Sequence, residues 1–445
     1  MALFARLRDA LLRADPRLRH WGRALAVASL IHLTLPDIRQ PGWWLPGLIE
    51  AIGALWLLRR PAVTAFALCA VGTAWPLLLL RDVLTQSLYL TLVALIGAAG
   101  TATRRASTAL AAVRLITAGT YALAAFHKLN RDFFDPAISC ATHAVDVIAA
   151  RYNLLAPLVD AGHLLPLAAV ATELALAFAV WRGARWMWPL GIVFHLPLTV
   201  TLAPAFFAVM FSGYAAATPP RDVLRWRRAL RGSGPMIALG IILGGAVDAL
   251  AAGGVPDGRA WVAAMGFGGI SALTVRFLRD RRGRPRAPRP ATWPARALAL
   301  GWLLHGLTPY LGWQVQHCAA MLSNLRIDAG CHNSLIMPEA LRGEDPYIRI
   351  EHARIGPPGA RPERERTIES TLWHVAALHA MRANWCVPEL RPIAFIGTWN
   401  GRPFALADLC ADDWLAALPG AERWPSGFQA FQKNLPRECA RACIH

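Results

Sequence analysis

The sequence predicts an all-α polytopic integral membrane helical bundle of about 9–11 spans, with a small C-terminal extramembrane α+β domain. Three observations predict it. The 445-residue chain is 55% hydrophobic and 17% charged, against about 45–50% and about 25% for soluble domains. Its apolar residues are bunched into nearly uncharged runs between residues 22 and 313, with the charges in short clusters between them. After residue 313 the character changes and charges become interspersed. These figures exclude an ordinary soluble domain and disorder, and no internal repeat is visible.

Residues 1–21 read as a basic amphipathic segment. Leu3, Phe4, Leu7, Leu11 and Leu12 recur at helical spacing with Arg6, Arg8, Arg13 and Arg17 between them. The pattern suits a helix lying on an anionic leaflet and, equally, a solvated leader; it is not a secretory signal. Residues 22–313 form the membrane domain, with candidate spans at 22–36, 43–58, 61–80, 83–102, 107–127, 163–181, 186–203, 204–218, 236–252, 259–278 and 297–313. The run 186–218 has no formal charge over 33 residues, too long for one crossing, and Pro204 offers the break.

Arginine sets the orientation. The net charge is +18, yet of 46 basic residues only Lys128 and Lys433 are lysine. The basic clusters are the N-terminus, Arg59 with Arg60, Arg104 with Arg105, Arg182 with Arg185, and residues 221–231 and 276–289. Under an eleven-span layout with the N-terminus inside, all of them fall on the cytoplasmic side. The charge is therefore a topology signal, and nucleic acid is not expected as a partner. The implied setting is a bacterial inner membrane, with residues 314–445 forming a periplasmic domain.

Seven of the eight cysteines, Cys140, Cys318, Cys331, Cys386, Cys410, Cys439 and Cys443, then lie on the oxidising side, where at least one disulfide is expected, while Cys69 lies in a span. No cysteine pair has zinc-finger spacing, so no metal is expected. Within residues 314–445, Asn400-Gly401 between 394–398 and 403–407 signals a hairpin, residues 347–352 a strand, and residues 367–386 a helix. Residues 281–290 read as a cytoplasmic linker.

Ionisable groups inside spans are costly and mark function by default. His32, Glu50, Arg114, Asp248 and His305 carry no motif and read as hydrogen-bonding links between helices. Pro197 close after His195 predicts a break in the backbone ladder and a polar opening at that depth. Glu173 lies mid-span and calls for an arginine such as Arg114, or a histidine, as its partner. Lys128 ends a span beside His127, and His163 stands at another outer span end. Arginine serves nearly everywhere else, so a lysine here points to a property arginine lacks, the ability to give up its proton when desolvated. The alternative is a snorkelling interface lysine.

The stretch Ala125-Phe126-His127-Lys128-Leu129-Asn130-Arg131-Asp132-Phe133 resembles the segment around the catalytic lysine of vitamin K-dependent γ-glutamyl carboxylases and their bacterial relatives, the horizontally transferred transmembrane domain (HTTM) proteins. Glu173, the Arg182 and Arg185 turn, Phe194-His195 and Phe206-Phe207 with Met210-Phe211-Ser212 follow in a similar order. Leu307-Thr308-Pro309-Tyr310-Leu311-Gly312 and Met321-Leu322-Ser323-Asn324-Leu325-Arg326 resemble the bacterial members' post-membrane motif. The resemblance covers roughly residues 80–340. It implies that Lys128 deprotonates a reduced quinone, with oxygen and carbon dioxide as co-substrates, that His195 assists, and that His127, His163 and Glu173 serve the quinone or substrate. A peptide or protein substrate and membrane lipids would be the partners. Two features depart from the carboxylases: Gln86 stands where they carry a histidine, and about 130 residues of different character replace their large lumenal region. The competing reading is a non-enzymatic transporter or lipid-binding scaffold on the same fold.

Overall fold

The computed structural model describes residues 15–35, 42–79, 85–152, 156–201, 206–251, 258–280, 290–313, 318–320, 322–424, 434–440 and 443. The chain divides into two compact units. The first comprises Met1–Ala125 with Ala141–Leu303, and the second Phe126–Cys140 with Leu304–His445. The second unit thus begins with a segment borrowed from far upstream, where the sequence suggested a continuous domain from residue 314.

The principal helices of the first unit are α1 (Pro16–His32), α2 (Trp44–Arg59), α3 (Val63–Leu79), α4 (Thr85–Ala102), α5 (Ala106–His127), α6 (Cys140–Arg151), α7 (Leu165–Arg182), α8 (Met187–Thr201), α9 (Phe206–Ala217), α10 (Pro220–Leu230), α11 (Gly234–Ala251), α12 (Gly258–Arg279) and α13 (Trp293–Gly306). The last residues of α5 and α13 and the first of α6 belong to the second unit. Each of the eleven expected spans has a helix at its position. Three stretches, Ala106–His127, Gly162–Arg182 and Ala260–Arg279, are long and apolar enough to cross a membrane, or four if the pair Pro220–Leu230 and Gly234–Leu250, bent by 82°, counts as one.

The outward faces are apolar at helical spacing. Trp44, Leu48, Ile52 and Leu55 are exposed along α2, Leu167, Leu174, Phe178 and Trp181 along α7, and Ile242, Leu243, Val247 and Leu250 along α11. A soluble bundle turns such stripes inward. Inside, helices meet through glycine: a Cβ on Gly268 of α12 would fall 1.9 Å from the Gly240 carbonyl oxygen of α11, the close approach typical of packing where no hydrophobic drive operates.

Several expectations are corrected. Residues 16–21 are not a separate segment but the first turns of α1, started by Pro16 and by Asp15, whose carboxylate accepts the Arg17 backbone N–H. Trp21 is fully buried there. Pro197 does not break its helix, since α8 continues to Thr201. The arginines at 221–231 lie not in a loop but on the helix α10, where Asp222 pairs with Arg185 at 3.0 Å and with Arg225. Residues 128–162 hold helix α6 rather than a plain connection. Residues 1–14, Pro204 and residues 281–289 lie outside the described residues.

The second unit contains an antiparallel sheet of order β4-β3-β1-β2-β5, built from β1 (Tyr347–Ile355), β2 (Thr371–His374), β3 (Ile393–Trp399), β4 (Arg402–Leu406) and β5 (Asn434–Pro436). The hairpin falls where Asn400-Gly401 signalled it, with positive φ at both residues (50° and 73°), as a tight primed turn needs. The expected helix 367–386 is instead α14 (Pro362–Glu369), the strand β2 and α15 (Val375–Trp385). Thr371-Leu372-Trp373-His374 is β-branched and aromatic, and its partners β1 and β5 decide its state. Ile348, Ile350, Phe395 and Leu378 are fully buried in the core, each contributing about 1.5–3 kcal/mol.

Three disulfides join Cys140 to Cys443, Cys331 to Cys439 and Cys386 to Cys410. All six of these cysteines lie in the second unit. Cys69 and Cys318 are free and buried.

Candidate functional site

Lys128 sits in the turn that ends α5. Asn130, in extended conformation, caps the short helix Arg131–Phe134 through its Oδ1, which accepts the Phe133 N–H at 2.8 Å. This break confines Lys128 between two helices. Its side chain is only 5% exposed, and Nζ lies 5.7 Å from the centre of the Phe133 ring. A snorkelling lysine extends its ammonium to water; this one is enclosed.

The enclosure is made by residues almost two hundred positions downstream. His127 Nδ1 is hydrogen-bonded to the Tyr310 hydroxyl and Nε2 to the Cys318 carbonyl, both at 2.9 Å. The Asn130 amide donates to the Ser323 carbonyl at 2.6 Å and the Cys140 N–H to Asn324 Oδ1 at 2.7 Å. Asn130 also forms a bridge with Ser334, flanked by Arg131 N–H donating to the Asn333 carbonyl and Leu335 N–H to the Leu129 carbonyl. Tyr310, Cys318, Leu325 and Ile327 form a small core against Phe126. The lysine stretch and the downstream stretches 307–312 and 322–326 are thus one packed structure.

That structure holds strained backbone. Ala319, Leu322 and Asn324 all adopt left-handed φ, at 64°, 57° and 55°, each costly for a side-chain-bearing residue. Gly312 at φ 75° ends the Tyr310 turn, where a Cβ would fall 2.1 Å from the Arg342 carbonyl oxygen. Burial pushes the Cys318 thiol up to about 12, so it stays protonated, and burial also raises the Asp132 carboxyl.

The other expected residues belong to the first unit. His195 is fully buried, with Nε2 bonded to the Tyr121 hydroxyl at 2.6 Å, and that hydroxyl is bonded in turn to Tyr214. Nδ1 of His195 has no hydrogen-bond partner among the described residues. The rings of Phe194, Phe206 and Phe207 surround the imidazole at 5.1, 5.4 and 6.4 Å between centres. Glu173 is buried on α7. His163 stands exposed on the single turn Gly162–Leu164. Among the described residues no group of three or more His, Cys, Asp or Glu side chains is placed to hold a metal.

Sequence reading missed Tyr121 and Tyr214. The signal was scarcity: the chain has only six tyrosines, and two share one hydrogen bond. His32 and Glu50 were singled out as helix links, and they do pair, Nδ1 to carboxylate at 3.1 Å. Asp248 likewise receives the Tyr152 hydroxyl.

No family model, curated protein or solved structure matches the chain. Function must therefore be argued from the geometry.

Proposed function

We propose that the chain is a polytopic membrane enzyme of the quinol- and oxygen-linked carboxylase or oxygenase type, with Lys128 as its base. The observation that carries the reading is the enclosure of Lys128. The chain's single lysine within the resemblance is held away from water in a strained shell built by the two stretches that share the resemblance.

In this reading the eleven helices cross the membrane with the arginine clusters inside, and the second unit lies outside. The apolar outward stripes and the three disulfides of the second unit support it.

Lys128 offers an amine beside an aromatic face, which suits a flat hydrophobic ring bearing hydroxyls. In the first unit, taken by itself, His195 offers an unpartnered nitrogen inside a ring of phenylalanines. A reduced quinone, when bound, would supply with oxygen the strong base that removes a carbon-bound proton before carbon dioxide adds. Lys128 Nζ would accept the hydroxyl proton of the reduced quinone, which an arginine cannot do. With both nitrogens of His127 engaged, it positions the lysine turn rather than binding a ligand. His195 Nδ1 is left to hydrogen-bond a polar ligand atom, while Nε2 is steadied by Tyr121.

Lys128→Arg tests the reading. Expression, insertion and thermal stability should stay close to wild type while quinol-dependent oxygen consumption is abolished, and mass spectrometry of the purified wild type should find a co-purifying quinone. Wild-type turnover in Lys128→Arg would place the base elsewhere.

A further inference from the structure

A second cluster of buried polar groups lies in the first unit, and the lysine chemistry does not use it. His32 is the last residue of α1, Glu50 lies on α2 and Ser87 stands in the first turn of α4. The imidazole Nδ1 lies 3.1 and 3.2 Å from the two Glu50 carboxylate oxygens, and Nε2 lies 2.8 Å from Ser87 Oγ. All three side chains are at most 1% exposed. When Glu50 is ionised its carboxylate can only accept, so the proton sits on Nδ1 and Nε2 is left to accept the serine hydroxyl. The order carboxylate, imidazole, hydroxyl, with each imidazole nitrogen assigned to its own partner, is that of a nucleophile activated by an oriented base.

Two further features point to a ligand there. Ser87 is the third residue of an 18-residue helix, where backbone N–H groups lack partners within the helix and the dipole favours developing negative charge. The adjacent Gln86 is 6% exposed, and its Oε1 has no hydrogen-bond partner among the described residues. The carboxylate is held firmly: a Cβ on Gly72 of α3 would fall 2.4 Å from the Glu50 Cβ and 2.8 Å from its backbone.

We propose that Ser87, His32 and Glu50 form an acyl-transfer site for a hydrophobic carboxylic ester. Ser87 Oγ bonds to the acyl carbon as its proton passes to His32 Nε2. The ester carbon–oxygen bond breaks, and the leaving alcohol takes that proton. Water then adds to the acyl carbon, giving its proton to His32; the bond to Oγ breaks, the proton returns to Ser87 and the carboxylic acid leaves. Glu50 remains a carboxylate and pairs with the transient imidazolium. An apolar ester fits, because the site lies at the ends of two helices in a bundle whose neighbouring α2 face exposes Trp44, Leu45 and Leu48.

The test is phosphonylation of the full-length chain in membrane vesicles by a long-chain alkyl fluorophosphonate. Peptide mass spectrometry should locate the adduct on Ser87. Ser87→Ala should abolish it, and His32→Gln should slow it about 10³-fold or more. Glu50→Gln, which keeps shape and hydrogen bonding, should slow it as well and serves if His32→Gln does not fold. Lys128→Arg should leave labelling unchanged, which separates this site from the lysine centre. A cluster that merely clamps helices gives no adduct on Ser87 in protein with a normal melting temperature, or an adduct rate indifferent to both His32→Gln and Glu50→Gln; either result overturns the proposal.

Discussion

The two units bury polar groups differently. In the helical unit, buried imidazoles and phenols pair with other side chains across helices: His32 with Glu50 and Ser87, and Tyr121 with His195 and Tyr214. In the second unit His127 still pairs with Tyr310, but the buried amides and Arg326 bind backbone. Asn130, Asn324, Asn333 and Arg326 each donate to main-chain carbonyls, Arg326 to those of Pro436 and Glu438 while it also pairs with Asp328 at 2.7 Å. A helix satisfies its own backbone, so the polar side chains of a bundle must find one another. Irregular chain carries unpaired carbonyls and must spend its amides on them. The helical unit closes its interior with glycine contacts, the second with cross-links and an ordinary apolar core.

That contrast can be broken experimentally, and reduction should have the largest effect. Each disulfide contributes about 2–5 kcal/mol, so a membrane-permeant reductant should make the 304–445 region protease-sensitive and leave the helices at 16–125 resistant. Equal sensitivity in both regions would show that the units do not differ as described. In the helical unit, Gly268→Val should cost about 3 kcal/mol or more, because the new Cβ would overlap the Gly240 carbonyl. A normal melting temperature would refute the close contact.

Acid should sharpen the difference. His374 is fully buried, and burial lowers its pKa to about 3. Below the unfolded value of about 6.5 the unfolded chain takes a proton that the folded domain refuses, so stability is full above pH 6.5 and falls as the pH drops toward 3. The loss should reach about 2.7 kcal/mol by pH 4.5, read as faster hydrogen exchange across 347–406, and His374→Asn should flatten that dependence. The smallest effect expected is from Tyr121→Phe, about 1 kcal/mol for a lost buried hydroxyl bond. Its sharper readout is a perturbed His195 ring signal in the nuclear magnetic resonance spectrum; an unmoved signal would break the link.

What was legible in the sequence was whatever depends on local pattern. Apolar runs located eleven helices, and Asn400-Gly401 located the hairpin because only residues tolerant of positive φ fit that turn. Thr371–His374 looked helical because its strand partners β1 and β5 are remote in sequence. The same division holds at the candidate site. The scarcity of lysine marked Lys128, while the shell around it was invisible because Tyr310, Cys318 and Ser323 lie about 190 positions away. Tyr121 escaped notice because a neutral phenol in an apolar run reads as core until its hydroxyl partners are known.

The bridge from Cys140 to Cys443 spans 303 residues, and this has a consequence for biosynthesis. At a translation rate of about 5–20 residues per second, Cys140 waits roughly 15–60 s for its partner to be made. During that wait Cys318, Cys331, Cys386, Cys410 and Cys439 all emerge before the correct thiol does. The lysine turn therefore cannot be sealed until Cys443 has been made. A nascent chain arrested before Cys443 should carry the helices but not the finished site, and a cell lacking a disulfide isomerase should accumulate chain cross-linked through the wrong cysteine.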